Sequence, residues 1–97
     1  MKVSLHPAAE NDLIEAASFY ELEGSAALAT RFIATFKRVA TLLAEQPNIG
    51  LPRTRGRRSF PMHAFPYSVI YRAGSNEMRI LVIQHNSRRP GFGDKRS

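Results

Sequence analysis

The hydrophobic period of this chain changes from helical to alternating at Pro47, and that change limits the folds open to it. Upstream, Leu28, Phe32, Phe36, Val39 and Leu43 recur every three or four residues and lay one apolar stripe along a helix. Proline disfavours a helical conformation in the residue before it, so this helix should end near Gln46. Downstream the period becomes two. Tyr67 to Arg72 is a good β segment, Gly74-Ser75-Asn76 is a turn, and Met78 to Gln84 is the most strongly apolar strand.

The rest of the chain fits around that division. Lys2 to His6 alternates polar and apolar residues as a short strand, and Pro7 suits the first turn of a helix, where its missing N–H is no loss. Ala9, Leu13, Ala16, Ala17 and Tyr20 then recur at helical spacing, with Glu10, Asp12, Glu15 and Glu21 between them as an acidic, solvated face. Gly24 ends this helix and Ser25 is a good N-cap for the next, so the two form an antiparallel hairpin. Pro47 to Gly56 reads as a connector without a period. Arg57 to Met62 reads as a weak strand, distorted or at an edge because of Pro61. The order strand, helix, helix, strand, strand, strand defines an α+β fold: an N-terminal strand and a helical hairpin against a three-stranded, mainly antiparallel sheet. With 97 residues the chain is expected to be one domain, 1–97, closing in a basic, glycine-containing tail from about Arg88 to Ser97.

Charge is divided as sharply as periodicity. Residues 1–50 carry four bases against six acids, whereas residues 51–97 carry ten bases against only Glu77 and Asp94. A small domain with that asymmetry presents a positive field to an anionic partner, either a nucleic acid or an acidic polypeptide. There is no cysteine, which excludes a disulfide framework and suits a reducing compartment. His6, His63 and His85 lie too far apart in sequence to suggest a metal site, and no motif calls for a cofactor. The longest strongly apolar run, Ile80 to Ile83, is far too short to span a bilayer, and Glu10 and Asp12 arrive too early for a signal peptide. A cytoplasmic protein without a membrane partner is expected.

Three constellations bear on chemistry. Arg53, Arg55, Arg57 and Arg58 put four guanidiniums into six residues. On an extended segment the alternate ones project to one side and could follow a phosphate backbone or an acidic strand; a solvated loop would carry the same letters. Phe65-Pro66-Tyr67 with Tyr71 fits base stacking, but packing of a strand on the second helix fits better. His85 ends the best strand and is followed by Arg88 and Arg89. That group could supply an acid or base and stabilise phosphoryl charge, or the histidine could simply hydrogen-bond its own loop.

The chain resembles the RelE/ParE superfamily of type II toxin–antitoxin toxins over nearly its whole length. The resemblance is carried by Ala9-x-x-Asp12-Leu13 with Tyr20, Ala29-x-x-Phe32, Pro47-x-x-Gly50-x-Pro52, Arg58, Phe65-Pro66-Tyr67-x-x-x-Tyr71 and His85-x-x-Arg88-x-Pro90. No one of these is specific; their order and separations are. The pattern is nearest the ParE-like branch. That resemblance implies a toxin that poisons DNA gyrase, arrests growth, serves in plasmid stabilisation and is neutralised by a ParD-like antitoxin with an acidic segment. The basic, open sheet surface itself suits an acidic antitoxin segment that folds on contact, with Arg53, Arg55, Arg57, Arg58, Arg72, Arg88 and Arg89 as the expected antitoxin- or target-binding residues.

The alternative is a RelE-like endoribonuclease that cuts mRNA on the ribosome. Attack of a ribose 2′-hydroxyl on its phosphate needs a base, a proton donor and several cations. Positions that carry lysines in such nucleases correspond here to Ser59 and Pro61, a basic position corresponds to Ser68, and a tail hydroxyl position falls near Asp94. Only His85, Arg88 and Arg72 remain as candidate catalytic residues, and a binding role without catalysis is the expectation.

Overall fold

The computed structural model describes residues 1–97 and contains two helices packed on one face of a five-stranded sheet. Strand β1 (Lys2–Leu5) leads into α1 (Pro7–Glu23), then α2 (Ala26–Glu45), β2 (Leu51–Pro52), β3 (Arg58–Pro61), β4 (Tyr67–Ala73) and β5 (Glu77–His85). The sheet order is β1-β5-β4-β3-β2. The three expected strands form its antiparallel centre. The connector departs from expectation: Leu51 and Pro52 pair with Ser59 and Arg58 as an edge strand, followed by a one-turn 3₁₀ segment at Thr54–Gly56. At the other edge β1 runs parallel to β5, with Lys2 opposite Glu77 and Leu5 opposite Ile80.

Local chemistry explains where the helices begin and end. Pro7 occupies the first turn of α1, and the His6 Nδ1 accepts the Ala8 N–H at 3.0 Å. Between the helices Gly24 has no room for a side chain, because a Cβ there would lie 2.7 Å from the Leu28 side chain and 2.9 Å from the Tyr20 carbonyl. The Ser25 hydroxyl accepts the Leu28 N–H at 3.0 Å and caps α2. From α2, Phe32, Thr35, Phe36, Val39 and Leu43 are buried against the sheet.

The run Ile80 to Ile83 does not alternate. A bulge separates the pairs Ile70–Val82 and Tyr71–Ile80, leaving Leu81 without a partner. As a result Ile80 and Ile83 pack under the helices with Val69, Tyr71 and Met78, while Leu81 and Val82 face the other way beside Ile70. The sheet therefore has two apolar faces. The helical hairpin covers one, and Phe92 of the C-terminal tail covers the other.

The connector is fixed by Tyr71, which is fully buried. Its hydroxyl donates to the Pro47 carbonyl at 2.7 Å and accepts the Gly50 N–H at 3.0 Å. A Cβ on Gly50 would sit 2.5 Å from that oxygen, so the glycine allows the close approach. No helix is long and apolar enough to cross a membrane.

Candidate functional site

The arginine cluster does not form a one-sided extended ladder. Thr54–Gly56 is a tight turn in which Arg55 adopts φ 62°, and this turn breaks the alternation. Arg57 points inward and is 6% exposed. Its guanidinium donates to the carbonyls of Gly93 and Asp94, each at 3.0 Å, and to that of Arg96. Arg55 also donates to the Asp94 carbonyl. Arg58 donates to Gly50 at 2.9 Å and to Asn48 at 3.2 Å, holding the connector. Sequence alone reads such residues as surface charge because it cannot show that their acceptors are main-chain oxygens of this same chain. Arg53 remains exposed, as do Arg88 and Arg89.

Nor do the three nuclease candidates meet. Tyr67 pairs with His85 at one end of β4, and Arg72 pairs with Arg79 near the other. Five residues along a strand place them roughly 16 Å apart. The faces differ as well. Tyr67 belongs with the helix-side core, whereas Arg72 reaches the Ser97 carbonyl on the tail side. His85 and Arg88 do share a small cleft of about 210 Å³, with Asp12, Glu15, Phe19 and Tyr67. Within it the His85 Nδ1 lies 3.1 Å from the Ser87 N–H and 2.7 Å from the Ser87 hydroxyl, a bond within its own loop. The His85 ring stands edge-on to Tyr67, centroids 5.2 Å apart. Burial raises the Tyr67 pKa above the ordinary 10.0, partly opposed by the Arg88 charge, so the phenol is a neutral donor and not a base. No three His, Asp or Glu side chains are placed so that together they could hold a metal ion.

The aromatic motif belongs to the core. Phe65 is buried, and its ring centroid lies 5.1 Å from both Tyr20 and Phe32. Burial, with Tyr67 as a second cause, likewise raises the pKa of Tyr20. Asp12 also departs from the solvated face expected of α1. Its carboxylate accepts the Ile83 N–H at 3.1 Å, where β5 has run past the end of β1, and pairs with Arg96 at 2.5 Å. It thereby joins helix, strand and tail.

What lies open is a groove of about 610 Å³ between α2 and β3, with Val39, Leu42 and Phe60 as its apolar lining and Lys37, Arg38 and His63 among its polar residues. Both Lys37 and Arg38 are exposed. Sequence reasoning missed this groove. The one hint was Lys37-Arg38, an adjacent basic pair in the otherwise acidic first half.

A family profile of the ParE toxin of type II toxin–antitoxin systems (parDE) matches residues 3–90. The match spans most of the sequence, and the chain belongs to that family. Among solved structures, the chromosomal ParDE TA system from P. aeruginosa shares the fold with a TM-score of 0.76 and 20% identity, covering 88% of this chain and 95% of that one. No curated protein matches the sequence.

Proposed function

We propose that this ParE-family toxin acts by binding, with DNA gyrase as its target, and is neutralised by a ParD-like antitoxin that lays an acidic segment along α2. The observation that carries a binding role is the failure of the candidate catalytic cations to converge. Arg72 lies on the opposite face from His85 and near the other end of β4, and Arg55, Arg57 and Arg58 are committed to carbonyls of this chain. A phosphoryl-transfer centre needs several charges around one phosphate. The groove between α2 and β3 suits the antitoxin because it combines apolar lining with the Lys37 and Arg38 charges at its side. An amphipathic segment that folds on contact would bury its apolar side there and set its carboxylates toward those bases. Arg53, Arg88 and Arg89 remain available for further ionic contacts with antitoxin or target. The choice of gyrase rests on family membership.

Purified protein tests both halves of the reading. It should stall gyrase in cleavage complexes during a supercoiling assay and leave transcripts intact in a translating extract. Transcript cleavage that is lost in His85→Ala and Arg88→Ala would instead establish the ribosome-dependent nuclease. A nuclease deprived of its general acid or base loses about 10²–10⁴-fold in rate.

A further inference from the structure

Helix α1 turns its small apolar side chains inward and its large ones outward. Ala9 and Ala16 are its buried residues, whereas Ile14, Phe19 and Leu22 are 55%, 53% and 83% exposed. A helix that served only to cover the sheet would bury the larger ones, because an aliphatic or aromatic side chain gains more by leaving water than an alanine does. Ile14, Ser18 and Leu22 recur every fourth residue and so form a single ridge with a notch at Ser18, and Phe19 stands beside Leu22 one turn back. Next to this ridge, between the two helices, Leu13, Ile14, Ala17, Ala29 and Ile33 wall a cleft of about 220 Å³. Its alanines leave room for one aliphatic side chain. The charges beside it are all negative, for α1 contains no lysine or arginine. Glu21 borders the cleft, and Glu15 lies on the other side of the ridge with Phe19. Glu10, Glu15, Glu21 and Glu23 are exposed, and none lies within ion-pair distance of a base; the one salt bridge in the protein joins Asp12 to Arg96.

We propose that the outer face of α1 is a docking surface for a basic amphipathic helix of a partner protein, which anchors one aliphatic side chain in the cleft between α1 and α2. The apolar stripe of such a helix covers Ile14, Ser18 and Leu22, and bases on its flanks meet Glu15 on one side and Glu21 on the other. A second copy of this chain fits poorly. Setting α1 against α1 opposes carboxylates to carboxylates, and neither helix has a base to offset them. An acidic segment of the kind proposed for the groove between α2 and β3 is repelled from α1 for the same reason. The two surfaces therefore select partners of opposite charge, and docking on α1 does not depend on what the toxin attacks.

The test uses the full chain and a synthetic amphipathic helix of leucine and lysine, followed by methyl NMR. Added peptide should shift the methyls of Ile14, Leu22 and Ile33 and leave those of Val39 and Leu42, in the groove between α2 and β3, unmoved. Binding should weaken as salt rises. A peptide with glutamate in place of lysine should not bind at α1. Leu22→Ser removes an aliphatic contact and should weaken binding on the order of tenfold. Glu15→Gln combined with Glu21→Gln should weaken it roughly threefold at low salt and leave it unchanged at high salt. All three positions are exposed, so unchanged melting curves report that the fold of each variant is intact. No binding, equal binding of the acidic peptide, shifts confined to another face, or an affinity unchanged in either variant would overturn the proposal. A dimer of the chain alone in sedimentation, dissociated by Leu22→Ser, would do so as well and would make α1 a contact between two copies.

Discussion

Replacing Tyr71 by Phe removes a single oxygen from the middle of the fold. That oxygen accepts the Gly50 N–H at 3.0 Å and donates to the Pro47 carbonyl at 2.7 Å. The two losses are unequal. Pro47 is only half-buried, so water can reach its carbonyl, whereas Gly50 is buried and its N–H is left without a partner. A buried donor orphaned in this way costs about 1–3 kcal/mol, and the ring itself keeps its contacts. We expect a loss of about 2 kcal/mol, read as a lower urea midpoint by far-UV circular dichroism with an unchanged slope. For a domain of this size the same loss lowers Tm by roughly 10 °C. Gly50→Ala should also destabilise, since its Cβ would meet the same hydroxyl at 2.5 Å. Because both changes act on one contact, the double variant should be less destabilised than the two losses added together, although the ring carbon 2.9 Å from that Cβ leaves part of the clash in place. A Tyr71→Phe loss below about 0.5 kcal/mol, or strict additivity in the cycle, would refute the view that this hydroxyl anchors the connector.

Three further outcomes follow from the contacts described. Asp12→Ala orphans the Ile83 N–H and unpairs Arg96, and should cost about 2–3 kcal/mol in urea melts, while Asp12→Asn, which keeps an acceptor for that N–H, should cost less. Tyr20 and Tyr67 have pKa values raised in the folded state, so the native protein holds their protons more tightly than the unfolded chain; stability should be complete below pH 10 and fall as pH rises beyond it, and Tyr67→Phe should flatten that alkaline decline in the urea midpoint. Lys37→Glu with Arg38→Glu should slow antitoxin association and reduce its salt dependence in stopped-flow measurements while leaving the melting curve within about 0.5 kcal/mol, since both side chains are exposed.

The parts of the fold that sequence reasoning found are those decided locally. The stripe from Leu28 to Leu43 has one amphipathic solution, and Ser25 beside Gly24 marks the break between helices without reference to the rest of the chain. The unread parts depend on distant partners. The pairing of Leu51–Pro52 with β3 leaves no period in two residues, and the bulge at Leu81 is invisible in a run of four β-formers that would pack equally well in either phase. Arg57 was misread for the same reason: a guanidinium signals charge in the sequence, but its partners at Gly93, Asp94 and Arg96 exist only once the tail has folded across the sheet. The motif residues Gly50 and Tyr71 were visible as letters, and only the structure shows that each is there for the other.

The parallel seating of β1 beside β5 has a consequence for how the molecule comes into being on the ribosome. Lys2 is made well before its partner Glu77 and the rest of β5, which emerge only after both helices, the connector and two more strands. The helical hairpin can close early from near neighbours, but β5, which joins β1 to the rest of the sheet, arrives last among the strands, and loop-closure entropy opposes the pairing until it does. A nascent chain interrupted before Glu77 therefore holds its helices without the β5 strand they pack on, and the five-stranded sheet exists only once β5 has emerged.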